Sequence, residues 1–356
     1  MSTEMKNNNV TINEATEEIK DLQKEKLRNL ISTFYDIQKL RISTGNRIVQ
    51  SFNIQMGQEP SKSQEDMDKE TQKMIQCLRK EYSRITDAYL EGSYVIKDKN
   101  GNDKTIVVKK ERNIEKIISQ LNKNKDSEIV LIHNKMDYDL MSLYIDLLAT
   151  EENNNKIIAK EVRKHPMWDA FFKDVCGCGP LMSAVCIAYF DVHKARHVSS
   201  FWKYAGLDTV DVTREDGSHI REGRGMKHTE MVEYHAKDGT LKEKRSITYN
   251  PILKTKLLGV LGSSFLKKPG CKYEQIYRDY YNRLEQRVDA DSISALRKYR
   301  MANRYMVKQF IRDLWVTWRS LEGYEVSEPY EVAKLGYKPH KYNEYHEKMA
   351  QETMRK

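Results

Sequence analysis

The segment Cys176–Pro180, with the sequence CGCGP, has the residue types and spacing that most directly indicate a chemical task. It follows a short helical pattern at residues 166–175 and precedes an apolar run at residues 181–190. Gly177 and Gly179 allow a tight backbone turn, and a proline directly after them is typical of a helix start. Amides at such a helix N-terminus can bind a phosphate oxygen, and glycine allows a nucleic-acid backbone to come close. The pattern predicts a helix-hairpin-helix that holds DNA without reading its sequence, and the alternative is an ordinary tight turn.

Basic side chains flank this turn in sequence and recur far downstream. Lys194, Arg196 and Lys203 follow it, and a helical pattern at residues 295–324 contains further cations: Arg297, Lys298, Arg300, Arg304, Lys308 and Arg312. Residues 1–158 contain 25 Lys and Arg against 26 Asp and Glu, whereas residues 159–356 contain 36 against 26. The positive excess of +10 is therefore confined to the second half, which is the distribution expected of a domain that binds phosphate backbones.

Cysteine, histidine and tyrosine residues give weaker signals. Cys176 and Cys178 could join His165 or His193 at a zinc ion, but a second Cys or His pair at finger spacing is missing, so no metal site is predicted. Five cysteines, an odd number, favour reduced thiols over disulfides. Four tyrosines at helical spacing and three tryptophans are interpreted as packing residues: Tyr273, Tyr277, Tyr280, Tyr281, Trp202, Trp315 and Trp318.

Composition excludes several classes of protein. The longest apolar runs, such as residues 257–261, are far shorter than the roughly 18 residues that span a bilayer, so no membrane partner is expected. Residues 1–10 are polar and lack the apolar core of a secretory signal. The sequence therefore predicts a cytoplasmic, intracellular protein.

The hydrophobic pattern predicts a mainly α fold. Helical spacing is present at residues 13–58, 74–90, 113–121 and 137–149, and alternation around Asn100-Gly101 predicts a β-hairpin at residues 94–110. The Asn-rich stretch 151–155 is interpreted as a linker. We therefore predict a helical N-terminal region at 1–155, a DNA-binding domain at 156–325 and a polar tail at 326–356. The long N-terminal helices offer a surface for homo-oligomers, although strict heptads are not evident.

Several short motifs occur in an order that resembles a known family. GCGPLMSA at 177–184 is followed by YAGL at 204–207, a Leu-rich segment at 252–266, and a basic helix that contains RKYRMA and ends in WRSLEGY at 318–324. This order is similar to the C-terminal domain of the DEDD-type insertion-sequence transposases, the IS-one-ten and IS-eleven-eleven family, also called bridge recombinases. The resemblance covers residues 166–324 and implies DNA transposition or recombination in a mobile element or phage, with a structured guide RNA as a further partner.

The N-terminal half departs from that family. Members have an N-terminal RuvC-like domain with four metal-binding carboxylates, whereas the aspartates here lie in helical or loop patterns without clustering at strand ends: Asp21, Asp36, Asp87, Asp137 and Asp139. Two-metal chemistry requires carboxylates that hold two ions roughly 4 Å apart. No cofactor is therefore identified, and Mg²⁺ is expected only if the chain is catalytically active.

The resemblance also implies a serine nucleophile. The corresponding region is extended by an insertion at 208–250 with hairpin turns at Asp216-Gly217 and Asp238-Gly239, which leaves Ser218 and Ser246 as catalytic candidates. Five neighbours in sequence could supply a base or cations: His219, Arg221, Arg224, Lys227 and His228. The alternative is a solvated turn serine. The family's Ile-Ser-Lys-x-Gly stretch is replaced by Ile-Thr-Tyr-Asn-Pro at 247–251.

These observations lead to one leading hypothesis and two rivals. The leading hypothesis is a transposase-like protein that holds DNA with its helix-hairpin-helix and basic helix. One rival is a noncatalytic DNA- or RNA-binding accessory protein derived from a transposase, and the other is a structural protein whose basic half contacts another protein.

Overall fold

The computed structural model describes residues 2–55, 93–97, 103–107, 135–213, 217–288 and 290–327. Side chains are described at residues 21–51, 54, 136, 139–213, 217–288 and 291–327. Contacts between Cα atoms divide the chain into two compact units, residues 32–154 and residues 1–31 together with 155–356. Each unit is described by itself below. We call residues 1–31 together with 155–356 the C-terminal unit.

Two long helices supply most of the described structure at residues 32–154. Helix α1 covers Ser2–Gln55, and helix α2 covers Lys135–Val162. Between them in sequence lies an antiparallel hairpin of β1, Ser93–Lys97, and β2, Asp103–Val107, with Lys97 opposite Asp103. The helices at 13–58 and 137–149 and the hairpin at 94–110 are thereby confirmed where the chain is described. The helical patterns at 74–90 and 113–121 lie outside the described residues.

The stretch 151–155 is helical, so its interpretation as a linker was wrong. It lies within α2, where the side chains of Glu151 and Asn154 are buried despite their polarity. Glu151 accepts hydrogen bonds from the Arg41 guanidinium and, at 2.9 Å, from the Gln38 amide. Because Arg41 supplies the opposite charge, a carboxylate can be buried here in a segment whose composition resembles a linker.

The C-terminal unit is mainly helical. Its helices, in chain order, are α3 Pro166–Ala170, a 3₁₀ turn Phe172–Asp174, α4 Pro180–Tyr189, α5 Val198–Tyr204, α6 Pro251–Thr255, a π-helix Lys256–Leu261, α7 Gly262–Leu266, α8 Lys272–Glu285, a 3₁₀ turn Ala290–Ser292 and α9 Ala295–Leu321. None of the helices in the described part of the chain is long and apolar enough to cross a membrane.

Helix α9 forms the core of this unit. From Ala302 to Arg319 its residues are buried except at positions 304, 305 and 308. The Phe310 ring is within 6 Å of three other aromatic rings, with centroid distances of 5.7 Å to Phe171, 5.5 Å to Phe265 and 5.4 Å to Tyr273. The predicted packing role of Trp315 and Trp318 is confirmed, because both are at most 2% exposed. Trp202, the third tryptophan predicted to pack, is half-buried and donates to the Lys308 carbonyl.

The N-terminal part of α1 packs within the C-terminal unit, a long-range contact that the sequence did not predict. Leu27 and Ile31 are buried. Arg28 donates to the carbonyl of Ala188 at 2.8 Å, and the Lys24 ammonium lies 3.2 Å from the Asp191 carboxylate. These contacts attach residues 21–31 beside the end of α4.

The insertion at 208–250 contains two antiparallel hairpins, as predicted. Strand β3, Thr209–Thr213, pairs with β4, His219–Gly223, and β5, Thr229–His235, pairs with β6, Leu241–Ile247. Gly217 and Gly239 in the turns both have φ of +80°, a conformation that glycine adopts without steric cost. The C-terminal unit is therefore a helical body with an inserted hairpin region. The helix-hairpin-helix assignment remains a prediction.

Replacing Phe310 with alanine is expected to lower the free energy of unfolding by about 3 to 5 kcal/mol, because it leaves a cavity among the aromatic rings. Leu296→Ala is the control, since Leu296 lies on the same helix with 57% of its side chain exposed and should change stability by no more than about 0.5 kcal/mol. Urea unfolding followed by circular dichroism measures both values. Equal effects of the two substitutions would contradict the central position of α9.

Candidate nucleic-acid interface

Gly177 is required by the fold of the turn itself. Its φ is +90°, and a Cβ at this position would lie 2.9 Å from Cδ1 of Phe265. The Ser264 hydroxyl also donates to the Gly177 carbonyl at 2.7 Å. The backbone freedom of glycine at position 177 was predicted to serve DNA binding, but the structure uses it for packing against Phe265.

Gly179 is placed differently. It has φ of −72°, it is the N-cap residue of α4, and it is exposed with no heavy atom within 4 Å of the place a Cβ would occupy. Its carbonyl accepts from the backbone amide and the hydroxyl of Ser183, at 3.0 and 3.1 Å. The space beside Gly179, at the N-terminus of α4, is therefore open.

A second turn packs against the first and carries lysines. Besides the contacts of Ser264 and Phe265, the Cys271 thiol donates to the carbonyl of Cys176 at 3.1 Å. Between these contact residues lie Lys267 and Lys268, both exposed. We call residues 176–179 and 264–271 the paired turns.

Sequence reasoning missed Lys267 and Lys268, although a signal was present. Residues 244–273 include seven Lys and Arg and no Asp or Glu, and the LysLysProGly sequence at 267–270 is typical of an exposed turn. The next cation, Lys272, is bound to Asp313 at 2.9 Å. The charge presented by the paired turns is therefore positive.

The predicted cations that follow α4, of which Lys203 lies on α5, are exposed. Lys194 has 87% of its side chain exposed, and Arg196 and Lys203 are exposed as well. Residues 192–207 contain no Asp or Glu. Asp191 directly precedes this segment, and its carboxylate lies 4.0 Å from the Lys194 ammonium and 3.2 Å from that of Lys24. The positive charge of the segment is therefore partly balanced at Lys194.

Of the six predicted cations on α9, only Arg297 and Arg300 are exposed, and Arg312 is buried beside Asp313. Lys298 lies 3.2 Å from the Glu285 carboxylate, Arg304 donates to the carbonyl of Asp208 at 3.3 Å, and Lys308 lies 4.0 Å from the centroid of the Trp202 ring. The physical reason is that α9 is the core helix, so most of its cations are engaged in internal contacts. Their role in binding DNA remains a prediction.

A charged network lies where the hairpins meet the helices. Arg224 is buried and binds the Asp208 carboxylate at 2.9 Å and the Thr248 hydroxyl at 2.9 Å, and Lys254 donates to the Arg224 carbonyl. Burial, together with the nearby guanidinium groups of Arg304 and Arg224, lowers the pKa of Lys254 to about 8. We call Asp208, Arg224, Thr248 and Lys254 the hairpin root.

The two candidate serines lie on different hairpins. Ser218 is exposed in the β3–β4 turn, and Ser246 on β6 donates to the Ile247 carbonyl at 3.5 Å. The predicted activating groups are bonded to other partners: Arg221 to Asp211, Arg224 to Asp208, Lys227 and His228 to Glu222, and His219 to Thr213. A catalytic role for either serine remains a prediction.

The cysteines and tyrosines have internal contacts in this unit. Burial raises the pKa of the Cys178 thiol to about 12. Within the described residues no group of three or more His, Cys, Asp or Glu side chains is arranged to hold a metal ion. The tyrosine spacing predicted packing, and Tyr280 stacks on Tyr305 of α9 at 4.3 Å while Tyr273 is buried.

Compared with known proteins, the chain matches no family model, no curated protein sequence and no solved structure. The resemblance to the insertion-sequence transposases therefore remains a prediction from the motifs alone.

Stability is expected to rise with pH because of Lys254. Its pKa falls from 10.5 to about 8 on folding, so between these pH values the unfolded chain binds more protons than the folded chain. This effect of Lys254 opposes folding below pH 8 and disappears as the pH rises to about 10.5. The difference in melting temperature between the native chain and Lys254→Gln should therefore increase from pH 8 to 10.5 in favour of the native chain.

The matched control for this titration is Lys267→Gln, which removes an exposed charge from the same unit. Its melting temperature should run parallel to that of the native chain across the pH range. Parallel curves for Lys254→Gln as well would show that Lys254 titrates as an ordinary surface lysine.

Proposed function

We propose that this chain binds DNA by its phosphate backbone, with the paired turns as the principal contact. The observation that supports it is the combination of open space beside Gly179 with two exposed lysines, Lys267 and Lys268, on the turn that packs against Cys176 and Gly177. Backbone amides and lysines are the groups that bind phosphate oxygens in DNA-binding proteins.

Charge distribution in this unit agrees with the same function. Residues 159–327 include 30 Lys and Arg against 21 Asp and Glu. Exposed cations before α5, on α5 and at the start of α9 extend the positive surface: Lys194, Arg196, Lys203, Arg297 and Arg300. Binding that depends on such groups releases counterions and weakens steeply as salt is added.

The order of the sequence motifs indicates the process in which this DNA binding would take place. A transposase-like domain would use such contacts to hold DNA during transposition or recombination, in a mobile element or phage. The proposal concerns binding, because the groups that could activate Ser218 are engaged with carboxylates and hydroxyls in the structure. A noncatalytic accessory protein would bind DNA through the same residues.

Removing two lysines from the paired turns should weaken binding to duplex DNA. For Lys267→Gln/Lys268→Gln, the slope of log Kd against log salt concentration should fall by about 2, because each lysine that neutralises one phosphate contributes about 1. Fluorescence anisotropy with a labelled duplex at a series of NaCl concentrations measures the slope.

The control is Lys160→Gln/Lys164→Gln, which removes the same charge from exposed positions on and just after α2. An equal loss of slope in both variants would mean that net charge alone drives binding. Gly179→Val provides an independent test, since it adds a side chain in open space and should weaken binding while the protein stays folded. Absence of salt-sensitive DNA binding by the native chain would contradict the proposal and favour a protein partner.

A further inference from the structure

The β5–β6 hairpin is an exposed two-stranded ribbon. Every residue of Thr229–His235 is exposed, and so is every residue from Leu241 to Arg245. Its seven-residue strands extend roughly 20 Å at about 3.4 Å per residue. A two-stranded hairpin of this kind has little stability of its own in water, so contacts at its base or with a partner are needed to stabilise it.

The base of the ribbon is fixed by the hairpin root. Arg224 binds the Thr248 hydroxyl at 2.9 Å directly after β6, and it lies 3.3 Å from the Glu230 carboxylate on β5. The next residue, Tyr249, is 7% exposed. The strands are thus anchored at one end, and their turn at Gly239 lies at the other.

The strand register places two lysines on one side of the ribbon and two glutamates on the other, with Glu230 on the first side and Arg245 on the second. Residues directly opposite each other in an antiparallel pair project to the same side. Val232 lies opposite Lys244, and Tyr234 lies opposite Lys242. The Lys244 ammonium is 4.6 Å from the centroid of the Tyr234 ring. We call this the lysine side.

The other side is acidic at its centre. Glu233 lies directly opposite Glu243, an arrangement that destabilises a hairpin because like charges repel. Met231 with Arg245, and His235 with Leu241, occupy the neighbouring positions of this side. We call it the glutamate side.

Carboxylates near the lysine side do not cancel its charge. Glu230 is paired with the buried Arg224. Asp238 lies 3.4 Å from Lys242, but both side chains are more than half exposed, and such pairs contribute little. Lys242 and Lys244 therefore remain available to an anionic partner, while Glu233 and Glu243 disfavour one on the opposite side.

We propose that the ribbon lies in the major groove of duplex DNA, with its lysine side toward the DNA and its glutamate side toward solvent. This inference rests on the proposed function, to which it adds a second contact formed by residues outside the paired turns. The major groove of B-form DNA admits a two-stranded ribbon, whereas the major groove of A-form RNA is too narrow for side chains to read. The charge of the lysine side complements the phosphates at the groove edges.

The test compares substitutions on the two sides of the ribbon. Lys242→Gln/Lys244→Gln should lower the slope of log Kd against log salt concentration by about 2 on duplex DNA. The same variant should also lose the protection of guanine N7 against dimethyl sulfate that the native chain gives, because N7 lies in the major groove. Glu233→Gln/Glu243→Gln is the matched control and should retain both the slope and the protection. Circular dichroism confirms that both variants are folded.

Each outcome separates this inference from the proposed function. If the native chain binds DNA and the lysine variant keeps its slope and N7 protection, the ribbon is not a DNA contact, although the paired turns remain one. A loss in the glutamate variant as large as in the lysine variant would likewise overturn the inference. If native-chain binding is equally tight on duplex RNA, with equal sensitivity to the lysine substitutions, the groove placement is wrong. If the native chain binds no DNA, the proposed function itself fails.

Discussion

Burying a positively charged helix is the constraint on which the C-terminal unit depends. Helix α9 carries arginines at positions 304, 312 and 319, and each must reach an oxygen because an unpaired buried charge costs several kcal/mol. Arg312 lies beside Asp313, and Arg319 donates to the carbonyls of Ala195 and Glu325. Arg304 donates to the carbonyl of Asp208, where the hairpin insertion begins. The neighbouring loops are therefore held in place by the cations of the core helix.

The sequence predicted those elements whose signals are local. Glycine in the turns specified the hairpins at Gly217 and Gly239, and the helical spacing specified α1 and part of α2, because backbone preference and periodicity act over a few residues. It could not predict which cations of α9 are used internally. Arg300 and Arg304 are one turn apart on the same helix, yet one is exposed and the other donates to a backbone carbonyl far away in sequence.

Long-range packing explains the other differences. The stretch 151–155 has the composition of a linker, but Arg41 provides Glu151 with a partner from another helix. The contacts of Leu27 and Arg28 within the C-terminal unit also join residues far apart in sequence. At the candidate site, both glycines of the turn were predicted to serve DNA, yet only Gly179 faces open space. Lys267 and Lys268 belong to a turn almost ninety positions downstream of Gly179, and this turn contacts Cys176 and Gly177, so no local pattern could pair the two turns.

The hairpin root also limits how the insertion can change. A Cβ on Gly223 would clash with the guanidinium of Arg304, so a larger residue at this position requires the Arg304 side chain to leave its contact with the Asp208 carbonyl. Beyond the root, all of β5 and residues 241–245 of β6 are exposed. Substitutions at these positions can therefore change the surface of the ribbon without disturbing the buried helices.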